Sequence, residues 1–456
     1  MKKPQILRNK KRLVFLGVGG VGMSALAKFC VKAGYEVSGY DMANSSATCE
    51  LKSQGMFVTA DKDKINIGND DAVIYTSALI GDELLKTARL QNAAIIKRSE
   101  LLGSVLKLFT KSVAVSGSHG KTTTTAMIAH ILTCAKMQPT CFIGGEDRVF
   151  GNFLCGDDKI AVAEACEYKK NFLDLTPQIA VVTNIDNDHL DSFGNIENEI
   201  EAFCKFTHNS LCVFNADDKN SRVLSEETSV SFGIENLADI SATDISRSKS
   251  KYSFTVKKGS FVLGRITLSV CGLHNIYNAL AAIAVADILN VRFTVVKKAL
   301  ENFHGVKRRE EYLGRVGDLG GAEVYADYAH HPSEIKAVAD SLFVGNNDVV
   351  VFQPHTYSRT RLLLEDFLNA LKDIPNLIIY KTYPAREAFD AEGSAHRLYM
   401  ELTAKNKKVR YAESPEELFS FLEGDKKRER FLFLGAGDIY DIAKRFIREF
   451  DKGDKN

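Results

Sequence analysis

Charge of either sign in excess is missing from this chain. Its 59 Lys and Arg stand against 58 Asp and Glu, a formal net charge of +1 over 456 residues. Without a surplus there is no bulk field to draw in nucleic acid or an anionic membrane surface, and neither is expected as a partner. The basic clusters, such as Lys2-Lys3 and Lys426-Lys427-Arg428, are short and read as solvated ends or turns. No apolar run approaches the roughly 20 residues that span a bilayer. The opening residues, MKKPQILRNKKR, lack the long apolar core of a secretory signal. The nine cysteines are scattered, odd in number and without paired metal spacing. They read as small buried hydrophobes in a reducing compartment, so the expected location is cytoplasmic. Proline is scarce, with 8 residues, and there is no low-complexity segment, so the joints between domains are expected to be short loops.

What is present is an ordinary globular composition, 45% hydrophobic and 26% charged. The length suggests about three domains at roughly 150 residues each. The organising stretch is VAVSGSHGKTTTT, Val113 to Thr125. An apolar strand enters a turn bounded by Gly117 and Gly120, and four threonines open a helix carrying Met127, Ile128, Ile131 and Leu132. Backbone N–H groups of such a turn (Gly117, Ser118, His119, Gly120), with the helix start behind them, cradle phosphate oxygens. Lys121 reaches the terminal phosphates, and the Thr122 hydroxyl can ligate Mg²⁺. Val115 stands where the general phosphate-loop pattern has its first glycine, so this is a shorter variant.

Ahead of this stretch, Leu13–Leu16 reads as a strand, followed by GVGGVG from Gly17 to Gly22, an apolar helix, and a second strand ending at Asp41. Gly19, Gly20 and Gly22 permit close approach of a diphosphate, and Asp41 could hold a ribose hydroxyl; any dinucleotide-like diphosphate, including a UDP-sugar, meets the same physics. Further strands are expected at 72–75 and 94–96. After the phosphate turn, strands end at Glu164, at TNIDNDHLD (Thr183 to Asp191) and at NADD. Polar residues therefore collect beyond strand ends, where ligands of open parallel sheets bind. Glu164 and His189 are the expected metal partners of Thr122, as a hard carboxylate and a single imidazole suit Mg²⁺. Glu167 is a weaker rival to Glu164. Residues 229–268 read as an inserted β element. In the helix that follows, Asn275 and Asn278 share a face; they either read a nucleobase edge or cap the helix start. The last third again pairs strands with polar clusters: DYAHHPSE, QPHTYSRT and GAGDIY. Arg359 is suited to clamp an amino-acid carboxylate with its planar fork. His330 and His355 lie beside it in the pattern.

These motifs in this order, GVGGVGMSALA, GSHGKTTTTAM, EACEY, TNIDNDHLD, GLHNIYNALAA, GVKRR, DYAHHPSE and FQPHTYSRT, cover nearly the whole chain. It resembles the ATP-dependent Mur ligases of peptidoglycan synthesis, and the last two motifs resemble the alanine-adding members most. The resemblance implies three α/β domains. A Rossmann-like N-terminal domain (1–107) binds a UDP-sugar. A central phosphate-loop ATPase-like parallel sheet (108–306) binds ATP. A Rossmann-like C-terminal domain (307–456) binds the amino acid. It implies ATP and Mg²⁺ as cofactors, and UDP-N-acetylmuramate and L-alanine as substrates of a monomer or homodimer. Lys121 and Thr123 would lie at the ATP phosphates; Thr122, Glu164 and His189 at the metal; Asn275 and Asn278 at the adenine. Arg309 and Asp327 would reach the nucleotide, and Arg98 the UDP part. His330 and Arg359 would act at the amino acid, with Tyr328 and His355 among the substrate contacts. Glu310 departs from the family pattern, which usually has an aromatic residue there, and Cys166 stands where many members have Asp. The runner-up within the family is the ligase that reattaches recycled peptide to the same sugar.

Overall fold

The computed structural model describes residues 2–451 except 44, 77–78, 187–189, 249–250, 386, 406 and 425–427. His189, expected at the metal, lies outside the described residues.

The N-terminal apolar runs become five parallel strands: β1 (Arg12–Leu16), β2 (Glu36–Tyr40), β3 (Phe57–Thr59), β4 (Ala72–Tyr75) and β5 (Ala94–Lys97). Their order is β3-β2-β1-β4-β5. Leu13 through Leu16 are completely buried, because β1 is central and covered on both faces. The order reverses at β1, and the glycine turn of residues 17–20 follows it. β3 has only three residues, too few for a periodic signal, and it makes the strand before Arg98 the fifth rather than the fourth.

The second sheet has ten strands: β6 (Lys111–Ser116), β7 (Thr140–Asp147), β8 (Gly151–Leu154), β9 (Ile160–Glu164), β10 (Ile179–Val182), β11 (Leu211–Asn215), β12 (Val230–Gly233), β13 (Ile240–Ser248), β14 (Lys251–Lys258) and β15 (Phe261–Thr267). The order is β15-β14-β13-β12-β11-β10-β6-β9-β7-β8. The segment 229–268 is therefore not a separate insertion. β12 pairs in parallel with β11, and the β13–β15 meander continues the same sheet. An unpaired β11 edge would otherwise be left open. The helix His274–Ile288 is apolar nearly all round, and Ile276 and Ala279–Val285 are buried to within 2%.

Polar and aromatic contacts fasten the first sheet's helices to the second sheet. Lys28, nearly buried, donates to Asn152 Oδ1 at 2.8 Å and pairs with Glu50. The Asn152 amide donates to Val21 O and Ser24 Oγ. Phe29 packs on Phe142 and Phe153. One apolar core runs through both sheets. Met1–Val270 and Asn275–Val306 accordingly form one compact unit, with no break in packing near residue 108.

Cys271–His274 and Lys307–Asn456 form the second unit. Its six strands are β16 (Glu311–Val316), β17 (Ala322–Asp327), β18 (Asp348–Phe352), β19 (Leu377–Tyr380), β20 (Val409–Ala412) and β21 (Arg430–Leu434). They run β16-β17-β21-β18-β19-β20, all parallel except β16. Val349 and Val351 belong to one core and Val350 and Phe352 to the other, as alternation along a two-sided strand requires. A two-pronged pair from half-buried Arg430, its Nε and Nη2 to buried Asp348 at 2.8 and 2.7 Å, closes the strand starts.

Candidate active site

β6 sits where the strand order of the second sheet reverses, between β10 and β9, so the turn after it opens at the sheet's switch point. The turn ends in Gly120, whose φ of +85° favours glycine and which caps the helix Lys121–Cys134. A side chain there would also meet Asn278 Oδ1 at 2.3 Å. Residues 183–186 grip the turn from β10. Asn184 Oδ1 accepts from His119 N at 2.9 Å, Thr183 Oγ1 donates to His119 O at 2.6 Å, and Ser118 Oγ accepts from Asp186 N at 2.7 Å. Asp218 of NADD in turn accepts from Ile185 N at 3.0 Å. These partners are 33 to 68 residues apart in sequence, so no local pattern reveals them.

Lys121 and Thr122 meet different glutamates of EACEY. Thr122 Oγ1 donates to Glu164 Oε2 at 2.7 Å, whereas Lys121 Nζ pairs with Glu167 Oε1 at 2.8 Å. Burial opposes the Lys121 charge, but the fields of Glu167 and Glu164 outweigh it and hold the ammonium above its ordinary range. The hydroxyl and carboxylate of Thr122 and Glu164 are a hard-oxygen pair that fits Mg²⁺. Among the described residues no group of three His, Cys, Asp or Glu forms a metal cage. Thr123 follows on the same helix, half-buried.

Sequence reasoning missed Gly144, on β7. A Cβ there would fall 2.0 Å from Glu164 Oε2, so only glycine leaves room for the carboxylate beside Thr122. Gly144→Ala should displace Glu164 and raise the Mg²⁺ concentration needed for half-maximal activity by about tenfold or more, the usual cost of disturbing what orients a metal ligand. A Mg²⁺ titration of activity checks this, and unchanged half-saturation would exclude Gly144 from that role.

A cavity of about 170 Å³ joins this pair to the N-terminal domain, lined among others by Gly22, Arg98, Phe142, Gly144, Glu164 and Cys166. Arg98 lies against Gly22, 3.0 Å from where a Cβ would stand. Burial pushes the Cys166 thiol up to about 11, so it stays protonated and unreactive. Asp41 turns inward: its carboxylate accepts from Gly19 N at 2.8 Å and from Ala43 N at 2.9 Å, bracing the glycine turn that includes Gly20. Asn278 is buried. Its amide donates to Asn275 Oδ1 at 3.0 Å and its carbonyl accepts from Thr124 at 3.2 Å, so it braces the phosphate-turn helix directly.

In the second unit, Asp327 is buried and uses both oxygens on backbone, accepting from Glu310 N at 2.6 Å and Ala329 N at 2.7 Å. Burial pushes it up to about 6, against the pull of Arg309. Arg309 lies over the Tyr328 ring, as does Arg308. Burial likewise raises Glu310 to about 8, so it is a neutral acid at pH 7. His330 packs edge-on to Tyr328 and His355, and His355 stacks on Tyr383. Burial first, then the nearby His330 and Arg359, lowers His355 to about 4, leaving it neutral. Arg359 Nη1 and His355 Nδ1 are buried without a hydrogen-bond partner among the described residues. A buried guanidinium N–H left unused is a binding group awaiting an anion.

A strand–turn–helix cradle with an invariant-charge lysine at its mouth and an oxygen pair behind it is the equipment of an enzyme that uses a nucleoside triphosphate. Three family models match consecutive parts of the chain: the Mur ligase family catalytic domain at residues 12–110, the Mur ligase middle domain at 115–286 and the Mur ligase glutamate ligase domain at 308–437. The chain belongs to the Mur ligase family. It is 40% identical to the UDP-N-acetylmuramate–L-alanine ligase of Aquifex aeolicus over 96% of this chain and 98% of that one. It is also 40% identical to the enzyme of that name from Clostridium acetobutylicum, over 96% and 97%. The crystal structure of the UDP-N-acetylmuramate-alanine ligase of Thermotoga maritima superposes with a TM-score of 0.82 at 30% identity, covering 96% of this chain and 99% of that one. A murein peptide ligase from Psychrobacter arcticus shares the fold, with a TM-score of 0.72 at 21% identity over 98% and 100%.

Proposed function

We propose that this chain ligates L-alanine to the lactyl carboxylate of UDP-N-acetylmuramate, using ATP, in peptidoglycan precursor synthesis. The observation that carries the reading is the cavity that runs from Arg98 and Gly22 to Glu164 beside Thr122 and the phosphate turn. A sugar nucleotide held at the first glycine turn would extend its carboxylate toward the triphosphate at the second. The carboxylate attacks the γ-phosphate, giving an acyl phosphate and ADP. The alanine amine then attacks the acyl carbon and phosphate departs. A carboxylate oxygen is a poor leaving group and a phosphate a good one, which is why a triphosphate is needed. Lys121 and the N–H groups of residues 117–120 neutralise and orient the terminal phosphates, with Thr123 behind them. Mg²⁺, held by Thr122, Glu164 and His189, would supply further charge neutralisation there. Arg359 clamps the alanine carboxylate, with His330, His355 and Tyr328 shaping its pocket. Asn275 and Asn278 border the adenine, and Arg309 and Asp327 the nucleotide; Gly19, Gly20, Gly22, Asp41 and Arg98 serve the UDP-sugar. The functional domains are 1–107, 108–306 and 307–456.

No helix among the described residues is long and apolar enough to cross a membrane. On this reading the enzyme works in the cytoplasm, as a monomer or homodimer. The test is phosphate release from purified protein with ATP, Mg²⁺ and UDP-N-acetylmuramate, with free alanine set against a cell-wall peptide. Release that requires alanine is expected. Release that responds to the peptide alone would assign the recycling reaction, and release indifferent to both would overturn ligation.

A further inference from the structure

The Lys121 ammonium has three donors, and each is already spent on the protein. Nζ donates to Gly117 O at 2.5 Å, to Ser118 O at 2.9 Å and to Glu167 Oε1 at 2.8 Å. Two of these partners are neutral carbonyls of the turn itself. The third is a carboxylate with no solvent exposure, an anionic oxygen of the kind a phosphate would offer. A triphosphate entering the cradle must therefore displace one acceptor. The neutral carbonyls move with the turn; the carboxylate competes with phosphate for the same charge and repels it.

The geometry points to Glu167 as the resident counter-anion of Lys121, a built-in stand-in for the terminal phosphate that nucleotide must displace. This deepens the nucleotide reading and rests on it. Glu167 is thus a positioning residue, distinct from Glu164, which faces Thr122. With no nucleotide, the pair keeps a desolvated ammonium compensated and the cradle in shape. With nucleotide, the same carboxylate weakens binding, because part of the attraction between Lys121 and phosphate goes to breaking the internal pair. The effect falls on the phosphate that reaches Lys121, so it sets the preference between triphosphate and diphosphate.

The test uses the full chain, Mg²⁺, a non-hydrolysable ATP analogue and ADP. Glu167→Gln is expected to lower the unfolding midpoint of the nucleotide-free protein and to bind the analogue about tenfold more tightly, with a smaller gain for ADP. Should Glu167→Gln not fold, Glu167→Asp, with its carboxylate one methylene further back, is measured instead, and about threefold tighter binding is expected. Equal or weaker analogue binding in the folded variant would overturn the inference and make Glu167 a support for phosphate binding instead. Wild-type protein that binds neither nucleotide would remove the underlying site reading as well. Wild-type binding with an unimproved variant would remove only the counter-anion.

Discussion

Lys121→Ala should abolish most ligation while leaving a folded protein: the rate of phosphate release in the complete mixture falls by about 100- to 1000-fold, the usual cost of deleting one preorganised donor from a charge-stabilising site. The physical reason lies in the position of the ammonium. It sits at the mouth of the phosphate turn, buried to 14% side-chain exposure, where its field is poorly screened. Charge on the terminal phosphate spreads as the carboxylate attacks, and a fixed positive group is worth most at that moment. Much of the loss should therefore appear in kcat as well as in the KM for ATP. Arginine should not restore activity, because its broad fork does not fit a turn whose carbonyls, Gly117 O and Ser118 O, lie 2.5 and 2.9 Å from Nζ. The substitution also leaves Glu167 buried without its cation, so a lower unfolding midpoint is expected alongside the kinetic loss. Steady-state kinetics beside a thermal melt separates the two effects; product formed at the normal rate would dismiss Lys121 from catalysis.

The second large effect belongs to the pocket proposed for the amino acid. Arg359→Ala should raise the KM for alanine by about 10- to 100-fold, corresponding to the ~1.5–3 kcal/mol of a charge-assisted hydrogen bond. The KM for ATP and for the sugar nucleotide should change little. His355 cannot compensate, because burial keeps its imidazole neutral at pH 7. Lysine at 359 should recover part of the binding through its charge but not the two-pronged geometry. Thr356, between these residues, holds a φ of +66°, a strained conformation for a β-branched residue that positions the start of the helix Tyr357–Leu362. Unchanged alanine KM in Arg359→Ala would move the carboxylate site elsewhere in the second unit.

Some of this arrangement is written in local sequence. Several strands that precede a functional cluster are short apolar runs, and a run such as Val113–Val115 or Leu377–Tyr380 is apolar because a parallel strand is buried on both faces. The phosphate turn is equally local: a glycine turn, a lysine and hydroxyl residues at a helix start act through neighbours a few positions away. The short β3, the continuation of the central sheet through β12–β15, and the union of the first two sheets in one compact unit are not local. They depend on which edges and faces remain to be covered once the chain has folded.

The division of labour between Glu164 and Glu167 marks the same boundary. Spacing put both near the phosphates and ranked Glu164 first for the metal. Only packing against the helix Lys121–Cys134 decided that Glu164 meets Thr122 and that Glu167 meets Lys121. Asp41, expected at a ribose, also braces Gly19 N, and Asn278, expected at the adenine, also braces Thr124 and Asn275. The amino-acid order by itself determined the strands, the glycine turns and the inventory of reactive groups, because backbone sterics and hydrophobic period act over a few residues. The tertiary structure alone decided which of those groups face one another, because a carboxylate 46 residues from its lysine finds it only when a sheet brings two strand ends together.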